Sequence, residues 1–348
     1  METNGLLIGP HASNLLSEIV LTAVDSKLSK KYKYIRNIGD YTCYVQTSDD
    51  AEKFLTDLAK ELRKYDLTLN IKKTRIVELP TAAGEDWINQ LNSFPAFCGR
   101  AKEKEIELTR KEVKAFLDLA LNLAQRKDDF AVITYAVKML SSKSDDDDEK
   151  RKVKLDTSAL RWYLSRMHHL LLAYPYLVHV VDGCVLKMEG VEVEDIKKMG
   201  DDLYRVGKEK RLWEACSYAL YWSIEYGYEP EAGGDNIAEE AVRSEDCIFM
   251  LLAYLRARKD GDDAAKDKMV IKAKELRDKD FERYWLFVYE VYRFEGEVLW
   301  HERDNANGKS KDKPKKISRL DKILGQFECL REAGISFIVD DFSEKCNR

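Results

Sequence analysis

The sequence predicts an α+β fold that is mostly α: a short unit mixing helices with a β-hairpin, then a long stack of paired helices. Helical and strand periods alternate up to about position 80 and give way to almost unbroken helical periodicity after it. Gly39 and Asp40 interrupt two β-prone runs, YKYIRNI and YTCYVQT, as a hairpin bend does. The remaining two-thirds offers helix after helix with one wide apolar face. The expected organisation is a mixed unit over 1–80, a connecting stretch over 81–110, and a helical domain over 111–348.

The first helix is expected from Ser13 to about Ser29. Leu15, Leu16, Ile19, Val20, Ala23, Val24 and Leu28 follow helical spacing, the preceding GPHAS supplies a turn, and Ser13 is the expected N-cap. In the strand that follows, Tyr34, Arg36 and Ile38 share one face, and Lys33, Ile35 and Asn37 share the other. SDDAEKFLTDLAKELRKY reads as an amphipathic helix with a box-like start at Asp49 and Glu52 and a buried stripe of Phe54, Leu55, Leu58 and Leu62. LTLNI then reads as a short strand. The predicted order is helix, hairpin, helix, strand.

Composition narrows the function. The 348 residues, 45% hydrophobic and 35% charged, suffice for a small domain and a larger one. The most apolar segment, HHLLLAYPYLVHVVDGCVL, is broken by His168, His169, Pro175, His179 and Asp182, so no membrane span is expected. METNGLLIGP has neither a basic lead nor a signal-type apolar core, and the seven cysteines never form CxxC; both point to a cytoplasmic chain with reduced thiols. A net charge of −5 excludes bulk electrostatic coating of nucleic acid, so any such path is local, at Lys72, Lys73 and Arg75 or in the loop GKSKDKPKK at 308–316.

GLLIGPHASNLLSEI at 5–19, IRNIGDY at 35–41 and LNIKKTRI at 69–76, met in that order, resemble the second half of a reverse-transcriptase palm. The likeness is to the bacterial abortive-infection and defence-associated branch, in which a glycine-proline segment precedes an Asp-Asp turn and an NxxKT segment follows. The resemblance implies a partial polymerase palm with a helical extension, and an RNA-directed DNA polymerase, a nucleotidyltransferase, as the family activity. It places Gly5, Gly9, Pro10 and Ser13 in the segment lining nucleotide and template, Asp40 on the second Asp of the pair, and Lys73 near the triphosphate or leaving group. Asp40 is then both catalytic and the ligand of an implied Mg²⁺. Phosphoryl transfer relies on positioning and charge neutralisation, commonly by two metal ions, so the family needs carboxylates that converge.

Three departures bear on activity. Leu7 stands where the family has Pro, Gly39 replaces the first hairpin Asp, and the strand with the other metal-binding Asp is expected upstream of Met1. The expectation is a truncated polymerase of phage-defence type that is inactive by itself. Its implied partners are nucleic acid and either an upstream polymerase fragment or a second copy of the chain. The alternative is a non-enzymatic α-solenoid interaction protein that keeps a palm remnant.

Other motifs read as structure. Asp340 and Asp341 in SFIVDDFSEK copy the polymerase hallmark superficially, but too little chain follows for the helix and Lys-bearing strand; they read as a helix-terminal acidic pair. Asp145 to Asp148 read as a linker, and His168, His169 and His179 as core-edge residues without a ligand framework. The helical remainder is expected to pair KEVKAFLDLALNLAQ with FAVITYAVKML, RLWEACSYALYWSIEYGY with EEAVRSEDCIFMLLAYLRARK, and AAKDKMVIKAKEL with FERYWLFVYEVYRFEGEVLW, as a HEAT-like solenoid. Trp162, Trp213, Trp222, Trp285 and Trp300 fall in its apolar stripes as core anchors.

Overall fold

The computed structural model describes residues 11–79, 86–100, 103–141, 152–299 and 319–347. The described residues are mostly helical with two small sheets, and the chain divides into two compact units, Met1–Gly84 and Glu85–Arg348. Among the described residues no helix is long and apolar enough to cross a membrane.

The first unit is α1 (His11–Leu28), an antiparallel hairpin of β1 (Tyr34–Asn37) and β2 (Asp40–Cys43), and α2 (Ser48–Arg63). Its core joins Leu21, Val24 and Leu28 of α1 to Phe54, Leu58 and Leu62 of α2, with Tyr34, Tyr41 and Cys43 of the hairpin packed against them. The stripe expected on α1 holds only toward its end: Leu15, Leu16 and Ile19 are exposed. Helix α1 is already formed at His11, so Ser13 sits in its first turn instead of capping it. The cap of α2 lies earlier than expected: Thr47 accepts a hydrogen bond from the Asp50 amide at 3.2 Å and donates its own hydroxyl to the Asp50 carboxylate at 2.8 Å. The strand expected at LTLNI does not form. The Leu67 amide instead turns back to the Leu62 carbonyl, and Asn70 starts a tight turn in which its side chain accepts from the Lys72 amide and its carbonyl from Lys73 and Thr74. Local Asx chemistry outcompetes the pleated conformation there.

The second unit is where strands were not expected. After α3 (Asp86–Asn92) and α4 (Pro95–Cys98), β3 (Glu105–Leu108) pairs in parallel with β4 (Lys152–Leu155), and the connection runs through α5 (Arg110–Lys127) and α6 (Ala131–Leu140). EIEL and KVKL alternate apolar and charged residues of opposite sign, and Lys154 pairs with Glu105 at 2.7 Å. Thr109 and Glu112 form a reciprocal capping box that starts α5, and Asp156 caps α7 (Thr157–Ala173) by accepting from the Ala159 amide at 2.7 Å.

A one-turn helix, α8 (Val178–Val180), then opens into a π-helical turn over Val181–Val185. The rest is α9 (Val193–Lys210), α10 (Trp213–Glu225), α11 (Gly234–Ser244), α12 (Cys247–Asp260), α13 (Asp263–Glu295), α14 (Arg319–Glu332) and α15 (Asp340–Asn347). Three details differ from the expected pairing. Helix α10 packs chiefly on α9. EEAVRSEDCIFML is two helices, separated at Glu245 (φ 49°) and restarted by Asp246, which accepts from the Ile248 and Phe249 amides. The last expected pair is present as two helical segments but without a loop between them: they meet within α13 at a kink where Asp280 leaves helical geometry.

Of the expected tryptophan anchors, Trp222 is fully buried, Trp162 and Trp213 are half-buried, Trp285 is exposed, and Trp300 lies outside the described residues. Asp145 to Asp148 and the loop 308–316 also lie outside them. All seven cysteines are free thiols.

The α9–α10 contact depends on Gly207. A Cβ added there would meet the Cys216 sulfur at 2.9 Å and the Ala215 Cβ at 3.2 Å, so only a bare backbone lets α10 approach this closely. Gly207→Leu is expected to destabilise the second unit by about 1–3 kcal/mol through overpacking, read as a lowered urea midpoint with unchanged slope.

His168, on α7, has Nε2 3.1 Å from Asp202 Oδ2 but out of line for a hydrogen bond. Burial lowers its pKa, outweighing the opposing pull of Asp202 and reinforced by Lys198 and His169. The unfolded chain therefore takes up this proton more readily than the folded one. Stability is fully present above the ordinary histidine range and falls as pH drops through it, levelling off below the folded pKa. Thermal melts between pH 8 and 5 are expected to show this slope in the native chain and a shallower one in His168→Gln.

Candidate functional site

Of the site residues that the sequence singles out, the hairpin carries Asp40, with Gly39 beside it. Its register is Tyr34↔Cys43, Ile35↔Thr42, Arg36↔Tyr41 and Asn37↔Asp40, which leaves Ile38 and Gly39 as a two-residue connection. Asp40 therefore opens β2 opposite Asn37; it is not at the bend, as GD suggested. The left-handed residue of the turn is Ile38 (φ 55°), an unfavourable place for a β-branched side chain, while Gly39 does not use its freedom.

Alternation gives the hairpin two unlike faces. Tyr34, Arg36, Tyr41 and Cys43 turn toward the helices; Ile35, Asn37, Asp40 and Thr42 turn outward and are exposed. The Asp40 carboxylate makes no hydrogen bond or ion pair with any described residue, nor does the Lys73 side chain. Lys73 is exposed in the Asn70–Thr74 turn, and nothing joins it to Asp40 or to Ser13, which is half-buried on α1. Gly5, Gly9 and Pro10 lie outside the described residues.

What holds the hairpin in place was not anticipated. Arg36, only 13% exposed, places Nη1 and Nη2 on the two carboxylate oxygens of Glu18 at 2.8 and 2.9 Å, and Nε on Asp25 at 2.8 Å. Nη1 also donates to the Ile38 carbonyl at 2.7 Å, and Tyr34 donates its hydroxyl to Asp25 at 2.6 Å. One guanidinium thus ties α1 to the strand and to the turn beside Asp40. Its hydrogen bond to Glu18 holds that carboxyl below its ordinary pKa. Burial, then the charge of Asp25, pushes the Tyr41 hydroxyl up to about 12, and that hydroxyl lies buried without a well-formed hydrogen bond. An arginine at an inward strand position was the available signal, because a cation there requires carboxylates on the covering helix.

The donor set does not fit a resident Mg²⁺. Asp40 shares its open face with Ile35, Asn37 and Thr42, Gly39 contributes no oxygen from a side chain, and no cluster of three or more acidic, His or Cys ligands occurs among the described residues. The Asp340–Asp341 pair belongs to the first turn of α15, with Asp341 exposed. No protein-family model matches the chain, and a search of curated proteins finds no match.

Arg36→Met leaves Asp25 and Glu18 without their cation and releases the turn. It is expected to destabilise the first unit by about 2–3 kcal/mol, seen as faster amide exchange across 34–43, whereas Arg36→Lys retains a charge but loses the fork.

Proposed function

We propose that the first unit derives from the palm of a bacterial reverse transcriptase of abortive-infection type and that the second is its HEAT-like helical extension. Asp40 carries this reading: a lone exposed carboxylate at the first residue after a two-residue turn, on the sheet face away from both helices. Phosphoryl transfer uses a carboxylate in that situation, at a sheet rim open to substrate and hard cations.

The same geometry argues that the chain does not polymerise alone. Losing ligands at a metal site removes most of its affinity, and Gly39 stands in the position of the turn's first carboxylate. The carboxylate that Gly39 does not supply would have to be brought to the open face by another segment or polypeptide. Lys73, on its tight turn, is the residue available to meet phosphate, and nucleic acid is the ligand that follows from this reading. A non-enzymatic α-solenoid interaction protein is the second reading, favoured by the exposed Leu15, Leu16 and Ile19 on α1 and Ile35 and Ile38 on the hairpin.

The turn itself provides the test. A Cβ at Gly39 meets nothing within 4 Å, so Gly39→Asp restores the paired carboxylates without a clash. The substituted chain is expected to gain Mn²⁺-dependent broadening of the 37–41 amides that the native chain lacks, and Asp40→Ala is expected to abolish the gain. Primer extension by the native chain with Mg²⁺ or Mn²⁺, lost in Asp40→Ala, would overturn the inactivity. Absence of any Mn²⁺ effect in Gly39→Asp would favour the interaction protein.

A further inference from the structure

The π-helical turn at Val181–Val185 sets Asp182 against the face of α10. The fully buried Trp222 donates its indole N–H to Asp182 Oδ1 at 2.8 Å, and among the described residues this is the only hydrogen bond that the carboxylate makes. No described cation pairs with it. Glu225, at the end of the same helix, has Lys345 of α15 as its ion-pair partner, so one of two neighbouring acids is neutralised and the other is not. A half-buried carboxylate with one neutral donor and no described cation partner keeps an oxygen available to a cationic ligand.

Three tyrosines, Tyr218, Tyr221 and Tyr226, lie on and just after α10, the helix that carries Trp222. Tyr218 and Tyr221 stand at 89° with centroids 6.4 Å apart, a right-angled corner, and Tyr218 meets Trp222 at 60° and 6.3 Å. Phe342 of α15 lies against Tyr221 at 5.1 Å. Tyr218, Tyr221 and Tyr226 are each only partly buried, and their hydroxyls make no hydrogen bond with a described residue. After burial, the negative charge of Asp182 is the next cause that raises the proton affinity of all three. Electron-rich ring faces at a right angle, near a carboxylate with no described cation partner, suit an organic cation that sheds its water.

We propose that Asp182, Tyr218, Tyr221 and Tyr226 form a binding site for an organic ammonium group. The carboxylate supplies the counter-charge, and the tyrosine faces supply cation–π attraction. A methylated ammonium would rely on the rings, and a primary ammonium would also use the free carboxylate oxygen and the tyrosine hydroxyls as acceptors. π-Helical turns often occur at functional sites, and this one delivers Asp182 to the corner.

The reporter is built in, since the Trp222 indole N–H touches the carboxylate. The full ¹⁵N-labelled chain is titrated with tetramethylammonium, with n-butylammonium, and with neutral tert-butanol, and the Trp222 indole cross-peak is followed, the other tryptophans serving as internal controls. A saturable shift with either ammonium is expected, with a dissociation constant on the order of 1–10 mM, and the tighter of the two identifies the methylated or primary class. Asp182→Asn keeps an oxygen for Trp222 and is expected to weaken binding at least tenfold, Tyr218→Leu at least fivefold, and Tyr218→Phe less than twofold. No saturable shift, an equal response to tert-butanol, or unchanged binding in Asp182→Asn would overturn the proposal. The native-chain comparison of charged and neutral probes stands even if a variant fails to fold.

Discussion

The arrangement of the first unit depends on one guanidinium. Arg36 is the only group that contacts α1, the inner face of β1 and the turn carbonyl together through described hydrogen bonds, and it does so with its full fork. A two-stranded hairpin is marginal in water by itself. Here the apolar contribution comes from Tyr34 and Tyr41 against Val24 and Phe54, and direction comes from the charge-assisted bonds to Glu18 and Asp25. Because Nη1 also holds the Ile38 carbonyl, a β-branched residue is kept at positive φ in a turn that would otherwise relax. The position of Asp40 follows from that chain of contacts without Asp40 taking part in it.

The second unit stabilises itself differently. Two cores lie along it, one built on α3 to α10 and the other on α9 to α15; α10 contributes buried residues to both, and its Tyr221 packs against both. Close backbone approach at Gly207 and buried polar clamps set the helix positions. Arg256, almost fully buried, donates to the Ser223 and Tyr228 carbonyls and pairs with Asp260 at 2.6 Å; Glu290, with no exposure, accepts from the Phe337 amide at 2.7 Å and from Arg293. Such groups are costly to bury unless paired; Arg256 fixes α12 against the end of α10, and Glu290 fixes the segment at Phe337 against α13. Helices of ordinary propensity become a single packing arrangement through these few polar contacts. Asp182, with no cation partner among the described residues, is conspicuous against that background.

Much of this could be read from residue order. The amphipathic stripe of α2 shows Phe54, Leu58 and Leu62 at helical spacing, and the strands around Gly39 alternate visibly. The errors have local causes. LTLNI is β-prone in composition, yet the Asn70 side chain captures backbone amides and turns the chain. EIEL and KVKL were lost among helices because a parallel partner 47 positions away leaves no trace in local periodicity. The stripe on α1 was misplaced because that helix is apolar on more than one side, and only its neighbours determine which side is covered.

Taken alone, residue order determined a mostly helical chain with a hairpin near its start, an exposed acid beside Gly39 and a non-membrane composition, because period and turn chemistry are local properties. Tertiary structure decided that Asp40 belongs to the strand and not the bend, that Arg36 holds the turn beside it, that β3 finds β4, and that Asp182 meets the Trp222 indole. Those facts arise from contacts between segments distant in sequence, where burial and charge compensation, summed over the whole fold, choose among locally equivalent conformations.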